Sequence, residues 1–153
     1  SVKKQLDFLP GVLRNFSVDA NYTKLELSGP SETAFVNFIP VTGNFALSWN
    51  KKPVSAQVKF NYRGRQLRSA QTGAQYGATN GFNEYYKARW NMDVNVEYTF
   101  SKRFKVFANA RNILNEPQIL QRYSETLNSA IYAQNFQQEE FGIQLAVGVK
   151  GTF

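Results

Sequence analysis

The last thirteen residues, Phe141 to Phe153, read FGIQLAVGVKGTF and decide the fold. Phe141, Ile143, Leu145, Val147 and Val149 recur at every second position and Phe153 closes the series, while Gln144, Ala146, Gly148, Lys150 and Thr152 stand between them. A period of two belongs to a pleated strand, whose successive side chains point to opposite faces. One such strand could equally form the edge of a soluble sheet, so the rest of the chain must say what its oily face meets.

The alternation returns along the sequence. In FSVDANYT, Phe16, Val18, Ala20 and Tyr22 oppose Ser17, Asp19, Asn21 and Thr23; in FALSWN, Phe45, Leu47 and Trp49 oppose Ala46, Ser48 and Asn50. After the tight KKP at residues 51–53 come Val54, Ala56, Val58, Phe60 and Tyr62, opposed by Ser55, Gln57, Lys59, Asn61 and Arg63. This is the pattern of a hairpin. A second hairpin follows: Trp90, Met92, Val94, Val96, Tyr98 and Phe100, a short SKR turn, then Phe104, Val106, Ala108 and Ala110, with Phe107 breaking the polar side. KKQLDF, near the start, reads as the tail of a further strand.

The connections differ in length. They are short at Pro10–Asn15, Lys51–Pro53 and Ser101–Arg103, and long at about 28–43, 66–88 and 115–139, where Gly, Ser, Asn, Gln and Tyr predominate. Short turns at one end and long loops at the other are what an outer-membrane barrel shows. The polar face carries Asp19, Lys59, Arg63, Asp93, Glu97 and Lys150, which a dry core could not hold unpaired but a watery lumen accepts. Aromatic residues gather near strand ends, at Trp49, Tyr62, Trp90, Tyr98, Phe100 and Phe104, where Tyr and Trp rings suit the headgroup level of a membrane. The expected class is therefore all-β: an antiparallel up-and-down transmembrane β-barrel segment of about seven strands. A soluble β-sandwich or barrel acting as a binding module is the alternative.

The chain has no Cys and no His, which removes disulfides, zinc sites of the usual ligands and Ser-His or Cys-His nucleophiles. Glu139 and Glu140 are adjacent and point to opposite strand faces; Asp93 and Glu97 share a face but lie about 13 Å apart at strand rise, too far for a carboxylate dyad. GATNG lacks the Lys-Ser/Thr of a phosphate-binding loop. No enzyme, metal or cofactor is expected. The net charge of +7 permits an anionic partner, but the rings share a face with aliphatic residues and the cations share theirs with carboxylates, which argues against nucleic acid. The opening SVKKQLDFLP has no apolar core of a signal peptide, and no run approaches the roughly 18 apolar residues of a membrane helix.

In this setting FLPGVLRNFSVDANYT (residues 8–23), FIPVTGNFALSW with VSAQVKFNYRGRQL (38–49 and 54–67), and WNMDVNVEYTFSKRFKVFANARNILNEP (90–117) resemble successive hairpins from the C-terminal part of TonB-dependent outer-membrane receptors. The closing GVKGTF is similar to the terminal strand of that family, read by the barrel-assembly machinery through Phe153 with Gly148 and Val149. Gly151 stands where an aromatic or apolar residue is usual, and Ile39-Pro40-Val41 lacks the glycine of the usual turn. The family encloses a plug in a barrel of about 22 strands. The resemblance thus implies that residues 1–153 are a C-terminal barrel portion, with the plug and the box for the TonB-type energy coupler lying elsewhere. It implies a Gram-negative outer-membrane location, contact with lipid and lipopolysaccharide, and a share in energy-coupled uptake of a scarce nutrient such as a metal chelate (a siderophore complex), a vitamin or an oligosaccharide. Arg63, Arg65, Arg68, Tyr76, Tyr85, Tyr86 and Arg89 bracket the long segment at 66–88 and are the candidate ligand-binding lip.

Overall fold

A computed structural model describes residues 1–28, 36–71, 82–123 and 134–151. Among these residues eleven strands run β1 (Val2–Gln5), β2 (Phe16–Lys24), β3 (Val41–Lys51), β4 (Val54–Arg63), β5 (Gln66–Gln71), β6 (Phe82–Tyr86), β7 (Arg89–Thr99), β8 (Phe104–Arg111), β9 (Gln118–Tyr123), β10 (Gln134–Glu139) and β11 (Gln144–Gly151). Among the described residues there is no α-helix; one 3-10 turn, Gly11–Asn15, links β1 to β2.

The first sheet is an antiparallel wall of seven strands in the order β1-β2-β3-β4-β7-β8-β11. These are the seven segments the alternation marks. The cross-strand register carries one apolar row across six of them: Val18 faces Leu47, Leu47 faces Val58, Val58 faces Val94, Val94 faces Ala110 and Ala110 faces Leu145. Because residues directly opposite share a face, the oily positions of these six strands fall on one side, Phe107 excepted. The other side carries rows such as Ser48, Gln57, Asn95, Asn109 and Ala146.

Nothing among the described residues covers the apolar side. Leu145 and Val147 are 77% and 76% exposed, and among the described residues the buried apolar ones are Ala46 and Leu120. Substantial contacts between elements run between ladder neighbours, apart from the 3-10 turn against β3, so among the described residues no second layer packs face to face as a sandwich requires. Neither sheet closes: β1 and β11 are the two edges of the wall.

The second sheet, β10-β9-β6-β5, corrects the expectation that 66–88 and 115–139 are only loops. Each of its strands continues a strand of the wall, β4 into β5, β6 into β7, β8 into β9 and β10 into β11, and the order is preserved. Arg63 faces Arg89 and, three residues on, Gln66 faces Tyr86, so that hairpin crosses the break with its register intact. The break itself needs glycine. Gly64 donates its N–H to the Val41 carbonyl at 2.8 Å, and a Cβ at Gly64 would stand 2.9 Å from that oxygen.

On the neighbouring strand the chain gains length. Ala110 faces Val94 and Leu120 faces Tyr86, ten residues against eight, so NILNEP (residues 112–117) holds two residues that its neighbours lack. Asn112 and Asn115 accommodate them at positive φ, 53° and 49°. Asn112 locks the bulge from three sides: its N–H donates to Asp93 Oδ1 (3.1 Å), its Nδ2 to the Gly142 carbonyl (3.0 Å), and its Oδ1 accepts from the Glu116 N–H (3.2 Å). The terminal strand also starts later than its pattern suggests. β11 begins at Gln144, and Phe141 and Ile143 precede it because Gly142, at φ 70°, turns the chain there.

The short connections are built at the opposite end. Ser101 Oγ accepts from the backbone N–H groups of Arg103 (3.2 Å) and Phe104 (3.1 Å), the side-chain-to-backbone bonding that favours Ser in turns. Thr99 N–H donates to the Pro53 carbonyl (2.8 Å) and ties this turn to the one between β3 and β4.

Candidate functional site at the far end of the wall

The second sheet and the upper margin of the wall hold most of the arginines and tyrosines singled out by sequence. Register shifts decide their partners. β5 bulges between Leu67 and Ser69, and β10 bulges between Asn135 and Gln137, leaving Arg68 and Phe136 as the extra residues. A bulge re-aims the side chain it carries. Arg68 Nη1 reaches Glu84 Oε2 at 3.4 Å and its guanidinium lies 5.9 Å from the Tyr86 ring; the Phe136 ring lies 4.0 Å from the Arg122 guanidinium. Arg122 Nη2 donates to Glu84 Oε1 at 2.9 Å.

Glu84 is thus a buried hub, 5% exposed, with one arginine on each oxygen. It ties β5, β6 and β9 together, and Phe136 adds β10. The sequence reading missed Glu84, Arg122 and Phe136. Glu84 lies sixteen residues from Arg68 and thirty-eight from Arg122, and neither bulge leaves a local mark.

The other candidates divide in two. Arg65 stacks on Tyr85, with its guanidinium carbon 3.7 Å from the ring centroid. Arg63 donates through Nη2 to Gln66 Oε1, and Gln66, 4% exposed, donates in turn to Asn37 Oδ1 at 3.4 Å. Arg63 and Arg89 face each other across β4 and β7. Tyr76 lies outside the described residues.

The six aromatics predicted for a membrane interface sit near the two ends of the wall. Tyr62 and Trp90 pack with ring centroids 4.6 Å apart at the far end. At the short-turn end Phe100 and Phe104 stack at 5.9 Å, Tyr98 is half exposed, and Trp49 Nε1 donates to the Val12 carbonyl at 3.4 Å. All but Phe100, which follows β7, lie on the apolar face.

Gly148 and Val149 lie in β11, while Phe153 is outside the described residues. Gly148 faces Phe107, whose ring lies where a side chain at residue 148 would be: a Cβ there would stand 2.6 Å from Phe107 Cζ. The one aromatic that breaks the polar pattern of β8 therefore fills the space a glycine leaves on β11. Lys150 Nζ sits 4.9 Å from the same ring and 3.3 Å from Glu97 Oε2, whose other oxygen accepts from Lys105 at 2.8 Å. Among the described residues no group of three or more potential metal ligands occurs.

Set against protein-family models, curated proteins and solved structures, the chain gives no match.

Proposed function

We propose that this chain is a section of the wall of a TonB-dependent outer-membrane receptor, contributing barrel strands, ligand-facing extensions and an assembly signal, with no bond chemistry of its own. The observation that carries the reading is the uncovered apolar face. A seven-stranded sheet in water would hide Leu47, Val58, Val94 and Leu145 under a second layer. Here they lie on a face bordered by rings, opposite one lined with amides and charges.

The dimensions agree with a membrane. Trp90 and Tyr98 are eight residues apart on β7, about 26 Å along a strand. At the usual tilt that is about 20 Å of height, near the roughly 25 Å band between aromatic girdles. The unpaired edges agree as well. A strand edge in hydrocarbon costs several kcal/mol per open backbone group, so β1 and β11 call for neighbouring strands in a larger barrel.

The absence of cysteine makes the test direct. Single cysteines at Ala56, Gln57, Val58 and Lys59, spin-labelled in the chain folded in zwitterionic micelles, should alternate. Positions 56 and 58 should favour oxygen, which partitions into the apolar phase, and 57 and 59 a water-borne nickel chelate. Equal access of the nickel chelate to all four would refute the reading.

A further inference from the structure

We propose that Arg63 and Arg89 form a binding site for a soluble oxyanion, a phosphate or carboxylate, on the polar face of the wall. The proposal rests on the reading above for the side from which the ligand comes, and on the following geometry for the site itself.

The arginines at this end are not equivalent. Arg68 and Arg122 share the Glu84 carboxylate, and Arg65 is stacked on Tyr85. Arg63 and Arg89 occupy one cross-strand position, directly opposite each other, and both are half-buried. Like charges in that relation destabilise a sheet. Among the described residues no carboxylate lies within ion-pair distance of either. Arg63 Nη2 is taken by Gln66, and its Nε is buried without a hydrogen-bond partner.

The cost of holding these two cations together is offset if an anion joins them. Two guanidinium groups offer planar, forked donors that match the paired oxygens of a carboxylate or phosphate. Arg89 also lines a cleft beside the pair, where the amides of Asn91 and Gln144 stand with Arg111 and with the carboxylates of Asp93 and Glu116, so the unbalanced positive charge is that of Arg63 and Arg89 themselves. The pair belongs to the polar face: Arg63 follows Gln57, Lys59 and Asn61 in the alternation of β4. Lipid phosphates meet the opposite face, so the ligand comes from water.

The test is calorimetric titration of the folded chain with inorganic phosphate and, separately, with citrate. Saturable binding should weaken at least tenfold in Arg63→Gln and in Arg89→Gln. Arg103→Gln, which removes the same charge at the short-turn end, should bind as the parent does. Where a Gln variant does not fold, Arg→Lys keeps the charge and loses the fork, and should still weaken binding severalfold. Without anion, Arg89→Gln should unfold at a higher temperature than the parent, since it relieves the repulsion; a structural role alone would lower it.

No saturable binding, or equal weakening by Arg103→Gln, overturns the proposal. So does binding that appears only in vesicles containing lipopolysaccharide, which would make a headgroup the source. The two readings fail separately: alternating label access on β4 without anion binding removes only this inference, and anion binding with uniform water access removes only the membrane assignment.

Discussion

Two residues show how a single position is fixed by what lies across the sheet from it. Gly148 is required by the Phe107 ring. Gly148→Ala forces that ring out of its place and should cost about 1–3 kcal/mol, the usual range for overpacking. Adding Phe107→Leu should recover part of the loss, so the double variant should be more stable in urea unfolding than the two single losses predict. Additive losses would show that the contact is not the cause. Glu84 is the second case. Glu84→Gln keeps the shape but removes the charge shared by Arg68 and Arg122, whose side chains are 42% and 30% exposed. Breaking a fully buried pair costs about 3–5 kcal/mol, and with both arginines still reached by water about 1–3 kcal/mol is expected. Hydrogen exchange should accelerate in β5, β6, β9 and β10 and remain unchanged in β2, β3 and β4. Uniform acceleration in both sheets would deny Glu84 its local role.

At the scale of elements, the two-residue excess in NILNEP is held chiefly by Asn112, whose backbone N–H and side-chain amide make three hydrogen bonds. Asn112→Ala loses both side-chain bonds and places alanine at a φ of 53°, so a loss of about 2–4 kcal/mol is expected. Asn112→Gly restores the backbone freedom but not the bonds and should lose less, which thermal unfolding would resolve. Equal losses would mean that φ carries no weight. The same elements mark the limit of what the sequence discloses. The strands of the wall are legible because one face is oily and the other wet, so a period of two is written into VSAQVKF and WNMDVNV. β9 and β10 read QILQRY and QNFQQE; neither carries an oily stripe, and the pattern fades although the ladder continues. Bulges at Arg68 and Phe136 shift the parity further. The candidate arginines were visible as a cluster, but their division into engaged and opposed pairs depends on register, which no local spacing encodes.

For the whole molecule, the question is which medium the uncovered face meets, and one substitution gives answers of opposite sign. Val94 lies at mid-height, between Val58 and Ala110 in the central apolar row. If that row faces hydrocarbon, Val94→Arg should destabilise the chain by about 2–4 kcal/mol at the midplane of a bilayer, and in the same direction in micelles. Asn95→Arg, one residue on and turned to the polar face, should change stability by less than about 1 kcal/mol. If the face were solvated, Val94→Arg would place a cation in water at a half-buried position, and its effect would be small or favourable to solubility. Urea unfolding of the two variants in the same micelles therefore reads the medium from a difference, which is insensitive to the cost of the open edges at β1 and β11 because both variants share it. A Val94→Arg loss no larger than that of Asn95→Arg would place water on both sides of the wall.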